Sequence, residues 1–242
     1  MEIYGRNSVR EAVISEEQIS KVFIRQDIVG KENQELIDLI KRANIDYKFV
    51  PKQYLDKIAG VNNHQGFVAR ISHFKYSDIE EIVAYANSKG EQLFLVLLDG
   101  IEDPHNLGSI IRTCECAGVH GVLIEKNRAC EVNSTVIKIS SGAASHVKVA
   151  KVTNIAQTIA KLKNMGVWAY ALEAGENSIY KTNLKGDLAL IIGSEGRGVR
   201  KVVRDKCDGV ISLPMFGKVN SLNASNATAI SVYEALRQRK GL

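Results

Sequence analysis

The chain has 242 residues, of which 45% are hydrophobic and 24% charged, with four cysteines and a formal net charge of +5. This balance suits a globular protein of one large domain, or a small domain joined to a medium one, that needs neither metal nor disulfides to complete its core. It excludes a disulfide scaffold and a basic arm, and the modest positive excess permits a polyanionic partner without requiring one.

In chain order, the first seventy-odd residues alternate helical and strand-like segments. A short helix is predicted over Asn7–Ile14, and strands over Lys21–Arg25, Tyr47–Val50 and Gly66–Ile71. A helix over Glu32–Ala43 presents Leu36, Ile37, Leu39 and Ile40 on one apolar face. Residues 1–76 thus form a compact α/β unit, and a polar helix-forming connector follows over 77–90. The rest, 91–242, opens with the apolar run Leu93–Leu98, which reads as a strand buried on both faces. Similar runs recur at Gly121–Ile124, Val167–Leu172, Leu188–Ile192 and Val210–Leu213. Helical segments fall between or after them at Leu107–Ala117, Asn154–Asn164, Val199–Lys206 and Ala224–Arg239. The expected fold class is α/β, with a mostly parallel sheet covered by helices on both faces.

No apolar stretch has the length of a bilayer span. Met1–Gly5 lacks a cationic start leading into an apolar run, so no secretory leader is expected and the expected location is cytoplasmic. Cys114-Glu115-Cys116 is too tight for a zinc pair, so no metal is expected and all four cysteines read as buried free thiols.

Ligands in such sheets bind beyond the carboxyl ends of the strands, and three segments there carry the chemistry. The first is Asp103-Pro104-His105-Asn106-Leu107-Gly108-Ser109-Ile110-Ile111-Arg112. Asn106 is either an N-cap or a site residue. Arg112, opposite the apolar face of Leu107, Ile110, Cys114 and Ala117, is either solvated or poised for a phosphate or ribose. The second is Gly193-Ser194-Glu195-Gly196-Arg197-Gly198. Its spacing is not that of a dinucleotide or P-loop fingerprint, and Glu195 would repel a pyrophosphate. A plain turn explains the glycines but not the carboxylate, which suits a cationic or hydroxyl-bearing ligand. The third runs from Ile211-Ser212-Leu213-Pro214 through Ser221-Leu222-Asn223-Ala224-Ser225, with more small polar residues than one helix cap needs.

Together these three segments closely resemble the motifs of the SpoU (TrmH) family of the SPOUT methyltransferase class, over residues 93–239. Tyr4–Ala12 and Val61–Gly66 resemble the small N-terminal, L30e-like substrate-binding domain of many members, in a combination like that of the branch methylating a guanosine ribose in large-subunit (23S) rRNA. The resemblance implies a deep trefoil knot in the C-terminal domain, a homodimer whose partner helps to build the site, and S-adenosylmethionine as methyl donor, leaving as S-adenosylhomocysteine. It implies donor contacts at Gly193, Gly196, Ile211, Leu213 and Leu222, and catalytic-site positions at Asn106, Arg112, Glu195, Ser221 and Asn223. Arg112 matches a family arginine often assigned as the base. A guanidinium releases its proton only at very high pH, so the expected role is to anchor the target phosphate and stabilise the forming alkoxide. Arg6, Arg10, Lys21 and Arg25 are the expected RNA readers, although a solvated face explains them too. The same chemistry on transfer RNA, methylation of ribosomal RNA for antibiotic self-protection, and a non-catalytic ribosome-assembly protein on the same scaffold are the rival readings.

Overall fold

A computed structural model describes residues 2–15, 19–71, 74–175 and 177–242. The chain divides into two compact units. The first holds residues up to Lys75 together with Val132–His146, and the second holds Tyr76–Glu131 and Val147–Leu242.

In the first unit the elements are β1 (Glu2–Tyr4), α1 (Arg6–Ile14), β2 (Ile19–Arg25), α2 (Lys31–Arg42), β3 (Tyr47–Val50), α3 (Lys52–Ala59) and β4 (Phe67–Ile71). The four strands pair in the order β1-β4-β2-β3, with only β2 and β3 parallel. Val22, Ile24, Phe67, Val68 and Ala69 are fully buried in this sheet. Leu36, Ile37 and Ile40 bury the face of α2 that their helical spacing defines. Of the four cations expected to read RNA, Arg6 pairs with Glu32, Lys21 with Asp46 and Arg25 with Asp27. Only Arg10 has no such partner among the described residues.

The second unit begins with α4 (Ile79–Ser88), then β5 (Phe94–Asp99), α5 (Pro104–Cys116) and β6 (Gly121–Glu125). The chain then crosses to the first unit as α6 (Ser134–Ile139), which packs beside β1. It returns as β7 (Lys148–Val152), α7 (Ile155–Asn164), β8 (Trp168–Leu172), β9 (Leu188–Gly193), α8 (Lys201–Arg204), β10 (Gly209–Ile211) and α9 (Ala224–Lys240). Six strands form a wholly parallel sheet in the order β10-β8-β9-β5-β6-β7. Every residue of β5 and of β6 is buried. Leu95, Leu97, Ala169, Ala171, Ala189 and Ile191 face one core, closed by Ile82, Ile155, Ile159 and Val203 of three helices. The alternate residues Val96, Leu98, Leu190 and Ile192 are buried too, and α5 packs on α9, which also meets β9. No helix among the described residues is long and apolar enough to cross a membrane.

Three expectations change. The segment 77–90 is not a free linker, because α4 belongs to the second unit: Asp78 and Glu81 form a capping box, and Ile82 and Ala86 enter the core. The N-cap of α5 is Asp103, whose side chain accepts the His105 N–H, so Asn106 lies inside the helix and is released from capping. Helix α8 covers only Lys201–Arg204 of the expected Val199–Lys206, and the backbone N–H groups of Val199 and Arg200 just before it donate to Glu173 and Asp99.

Candidate active site

The carboxyl ends of β8 and β9, the turn after β9 and the segment from β10 into α9 enclose a cavity of about 480 Å³. That lies within the range of about 300–1,000 Å³ usual for small-molecule sites. Leu172, Ile192, Leu213, Met215, Leu222 and Ala227 supply its apolar wall. Glycine is required at two places in the turn after β9. A Cβ on Gly193 would stand 2.0 Å from the Gly198 carbonyl carbon, and Gly196 has φ +80°. The turn is closed by the Gly198 N–H donating to the Ser194 carbonyl at 2.9 Å, and it carries Glu195 at its tip.

Three side chains from three distant segments meet at Glu195, which lines this cavity, while Asn106 lines the one beside it. Asn106 Nδ2 donates to Glu195 Oε1 at 3.0 Å, and Asn223 Nδ2 donates both to Asn106 Oδ1, at 2.9 Å, and to Glu195 Oε1. Asn223 is also the N-cap of α9, its Oδ1 accepting from Ser225 N, Ser225 Oγ and Asn226 N. The cap therefore fixes the amide that orients the other two groups. Two amides converge on one carboxylate oxygen, leaving Glu195 Oε2 available to a ligand hydroxyl.

Beneath the turn lies a second network. Asp99, at the end of β5, is fully buried and accepts from Arg200 N and Nε at 2.7 Å each. Arg200 also donates to Glu125, at the end of β6, at 2.6 Å. Glu173, one residue beyond β8, accepts from Val199 N at 2.8 Å and Arg204 Nη1 at 2.6 Å. The hydrogen bond to Asp99 raises the Arg200 pKa further above its ordinary range, so this charge is permanent. The sequence signal for the network was that three apolar strands each run into an acidic residue. A carboxylate at such a place is buried and must find a cation.

The expected site residues are brought together unevenly. Asn106, Glu195 and Asn223 form the cluster described above, while Ser221, Gly193, Gly196, Leu213 and Leu222 line the cavity. Ile211 is buried in β10 and does not line it. Arg112 is exposed on α5, makes no hydrogen bond or ion pair with a described residue, and lines neither this cavity nor its neighbour. The cysteines are all free, but only Cys114 is buried as expected: Cys130 and Cys207 are half-buried and Cys116 is exposed. Burial pushes the Cys207 thiol up to about 12 and Cys114 higher still, so neither is a nucleophile at neutral pH. Among the described residues no cluster of His, Cys, Asp or Glu is arranged to hold a metal ion.

The profile of the SpoU rRNA methylase family matches residues 92–233, and that of the RNA 2′-O ribose methyltransferase substrate-binding domain matches residues 3–77. The chain belongs to the SpoU family of RNA methyltransferases. It is 41% identical over 239 residues, 98% of the chain, to 95% of YacO of Bacillus subtilis, a protein carried under the joint name TrmH family tRNA/rRNA methyltransferase. A TrmH family protein of Staphylococcus aureus is 44% identical over the same share of this chain and 96% of its own. In fold, the SpoU chain matches the SpoU methyltransferase AviRb of Streptomyces viridochromogenes, solved with the cofactor AdoMet. The TM-score is 0.85 at 22% identity, over 100% of this chain and 91% of that one. The AdoMet-bound rRNA methyltransferase of Sinorhizobium meliloti matches with a TM-score of 0.81 at 21% identity, over 98% and 86%.

The residues of the larger cavity fit S-adenosylmethionine, the cofactor with which AviRb was solved. The apolar wall suits a flat base, and the glycine turn lets exposed backbone approach a ligand. When bound, the donor supplies an electrophilic sulfonium methyl, which needs no metal to react.

Proposed function

We propose that this protein methylates a ribose 2′-hydroxyl of RNA, at a guanosine of large-subunit ribosomal RNA, acting in the cytoplasm as a homodimer with residues 1–76 as the substrate-binding domain. The observation that carries the reading is the Asn106–Glu195–Asn223 cluster, whose carboxylate lines both the donor cavity and the one beside it. Such a cluster does what methyl transfer to a hydroxyl asks of a protein. It fixes one carboxylate with a free oxygen beside the place where the acceptor must lie, so that the attacking oxygen is oriented in line. Ser221, which lines the cavity and has no partner among the described residues, adds a second hydrogen-bonding group for the donor or the ribose.

Arg112 contributes differently. Exposed and facing away from its own cavity, it is free to meet RNA bound against a second copy, whose phosphate it anchors and whose developing alkoxide it stabilises. The exposed apolar groups Ile230 and Tyr233 on α9, and Phe216, Val219 and Leu222 before it, supply a surface for that second copy to cover. The knotted passage of the chain between β10 and α9 belongs to the same reading. Ribosomal RNA is favoured over transfer RNA by the first unit. The rRNA methyltransferase of S. meliloti matches 98% of the chain, whereas the Aquifex aeolicus tRNA modifying enzyme matches 62%, with a TM-score of 0.58.

The test is transfer from radiolabelled S-adenosylmethionine to undermethylated ribosomal and transfer RNA pools, followed by digestion to nucleosides. The expected product is 2′-O-methylguanosine from large-subunit RNA. Label confined to transfer RNA overturns the substrate, and absence of both transfer and donor binding overturns the enzyme.

A further inference from the structure

A second cavity, of about 370 Å³, adjoins the first and shares Ser194, Glu195 and Arg197 with it. Several carboxylates and guanidiniums line it, and most are already engaged. Asp99 and Glu125 are taken up by Arg200, Glu195 Oε1 by two amides, and Asp103 by the cap of α5. Three charges remain with no hydrogen bond or ion pair to any described residue: Glu102, Arg128 and Arg197. Arg128 is held with φ +58°, a conformation a long side chain rarely adopts, in the turn after β6. One free carboxylate and two free guanidinium forks thus face one space, on the far side of the wall from the methyl donor.

We propose that this cavity seats the base of the acceptor nucleotide, and that Glu102 and Arg128 select guanine. The inference rests on the ribose-methylation reading above and goes beyond it by assigning the base pocket. Guanine offers adjacent N1 and N2 donors on one edge, which a carboxylate accepts, and adjacent O6 and N7 acceptors on another, which an arginine fork matches. Adenine sets an amino group where the fork needs an acceptor, and its N1 has no proton for the carboxylate. Arg197, on the shared wall, is left for the ribose–phosphate chain that must pass from one cavity to the other.

The experiment uses the full-length protein and ribosomal RNA transcripts carrying guanosine, inosine or adenosine at the mapped acceptor position. Inosine lacks only the 2-amino group. The intact protein is expected to prefer guanosine over inosine by about tenfold in kcat/KM, toward the low end for a lost base-edge contact. Glu102→Ala is expected to lower transfer to guanosine by about tenfold more than transfer to inosine, which loses only the N1–H contact, so that the preference disappears. Arg128→Ala should lower transfer to both. Calorimetric titration with S-adenosylmethionine checks that each variant remains folded with its donor site intact. A guanosine-to-inosine ratio unmoved by Glu102→Ala overturns the base pocket, as does a mapped acceptor other than guanosine. Failure of the intact protein to methylate any RNA overturns the ribose-methylation reading itself. Transfer with an unmoved ratio overturns only the pocket.

Discussion

The two ends of the six-stranded sheet make an instructive pair, because both gather ionisable side chains around a cavity but satisfy them to different degrees. At the amino end, His120 is buried with Nδ1 accepting the Phe94 N–H and Nε2 bonded to Glu91, each at 3.0 Å. Lys240 closes on the same Glu91, and Arg239 donates to the carbonyls of Gly186 and Gln92 while covering the Phe94 ring. Each of these groups is occupied by the chain itself, and together they pin the end of α9 to the sheet. At the carboxyl end, the deep charges Asp99, Glu125 and Glu173 are likewise consumed by Arg200 and Arg204, but a further shell above them is unfinished. Glu195 keeps an oxygen, Ser221 keeps its hydroxyl, and Glu102, Arg128 and Arg197 keep their charges. Function is read from the polar groups left over once the fold has satisfied its own.

This contrast is open to attack in order of expected effect. Asn106→Ala should lower methyl transfer by about 100-fold or more, the cost of misplacing a group at the reacting centre, with donor binding retained. Near-normal turnover would show that the cluster is only a structural brace. Arg200→Ala should destabilise the protein by about 3 kcal/mol, measured by urea denaturation, because it strands the buried carboxylate of Asp99. Asn223→Ala removes the α9 cap and should cost about 1 kcal/mol in the same assay. Asn223→Asp keeps a capping oxygen but sets a carboxylate against Glu195, so it should retain more of the stability than Asn223→Ala while lowering methyl transfer. The amino end should respond to pH and not to substrate. Burial holds His120 below its ordinary 6.5, so the folded chain takes up fewer protons than the unfolded one as pH falls through that value. The hydrogen bond from His120 likewise holds Glu91 below its ordinary 4.5, adding a further loss in more acid solution. Tm should therefore be highest above pH 6.5 and fall toward pH 5, with a shallower fall in His120→Gln, as scanning calorimetry would show. Cys116→Ser, at an exposed position, should change stability by less than about 0.5 kcal/mol and leave transfer untouched.

The parallel core was legible in the sequence because its strands are continuous apolar runs, and Leu93–Leu98 could be little else. What escaped was short or weakly patterned. β1 has three residues, α3 buries only Leu55, and β7 alternates Lys with small apolar groups in Lys148–Val152. α6 escaped for another reason: its apolar residues are completed by the first unit and not by its sequence neighbours. In the site, Glu195 and Asn223 stood out as polar residues in excess of local need, whereas Asn106 read equally well as an N-cap. Arg200 did not, since nothing local marks an arginine whose partners lie 101 and 75 residues away. Arg112 was legible in its direction, opposite the apolar face of its helix, and it is exposed there and lines neither cavity.

The passage of Val132–His146 into the first unit has a consequence for how the protein is made. There α6 lies beside β1, Lys138 Nζ stands over the Tyr4 ring and donates to Asn63, and His146 meets Glu11 at 2.7 Å. The unit that leaves the ribosome first is therefore not the unit that can be finished first. At about 5–20 residues per second, translation must run for several seconds past Lys75 before the segment that covers β1 exists at all. Through that interval the nascent chain carries an open flank, and a gene fragment ending at Lys75 would carry it permanently.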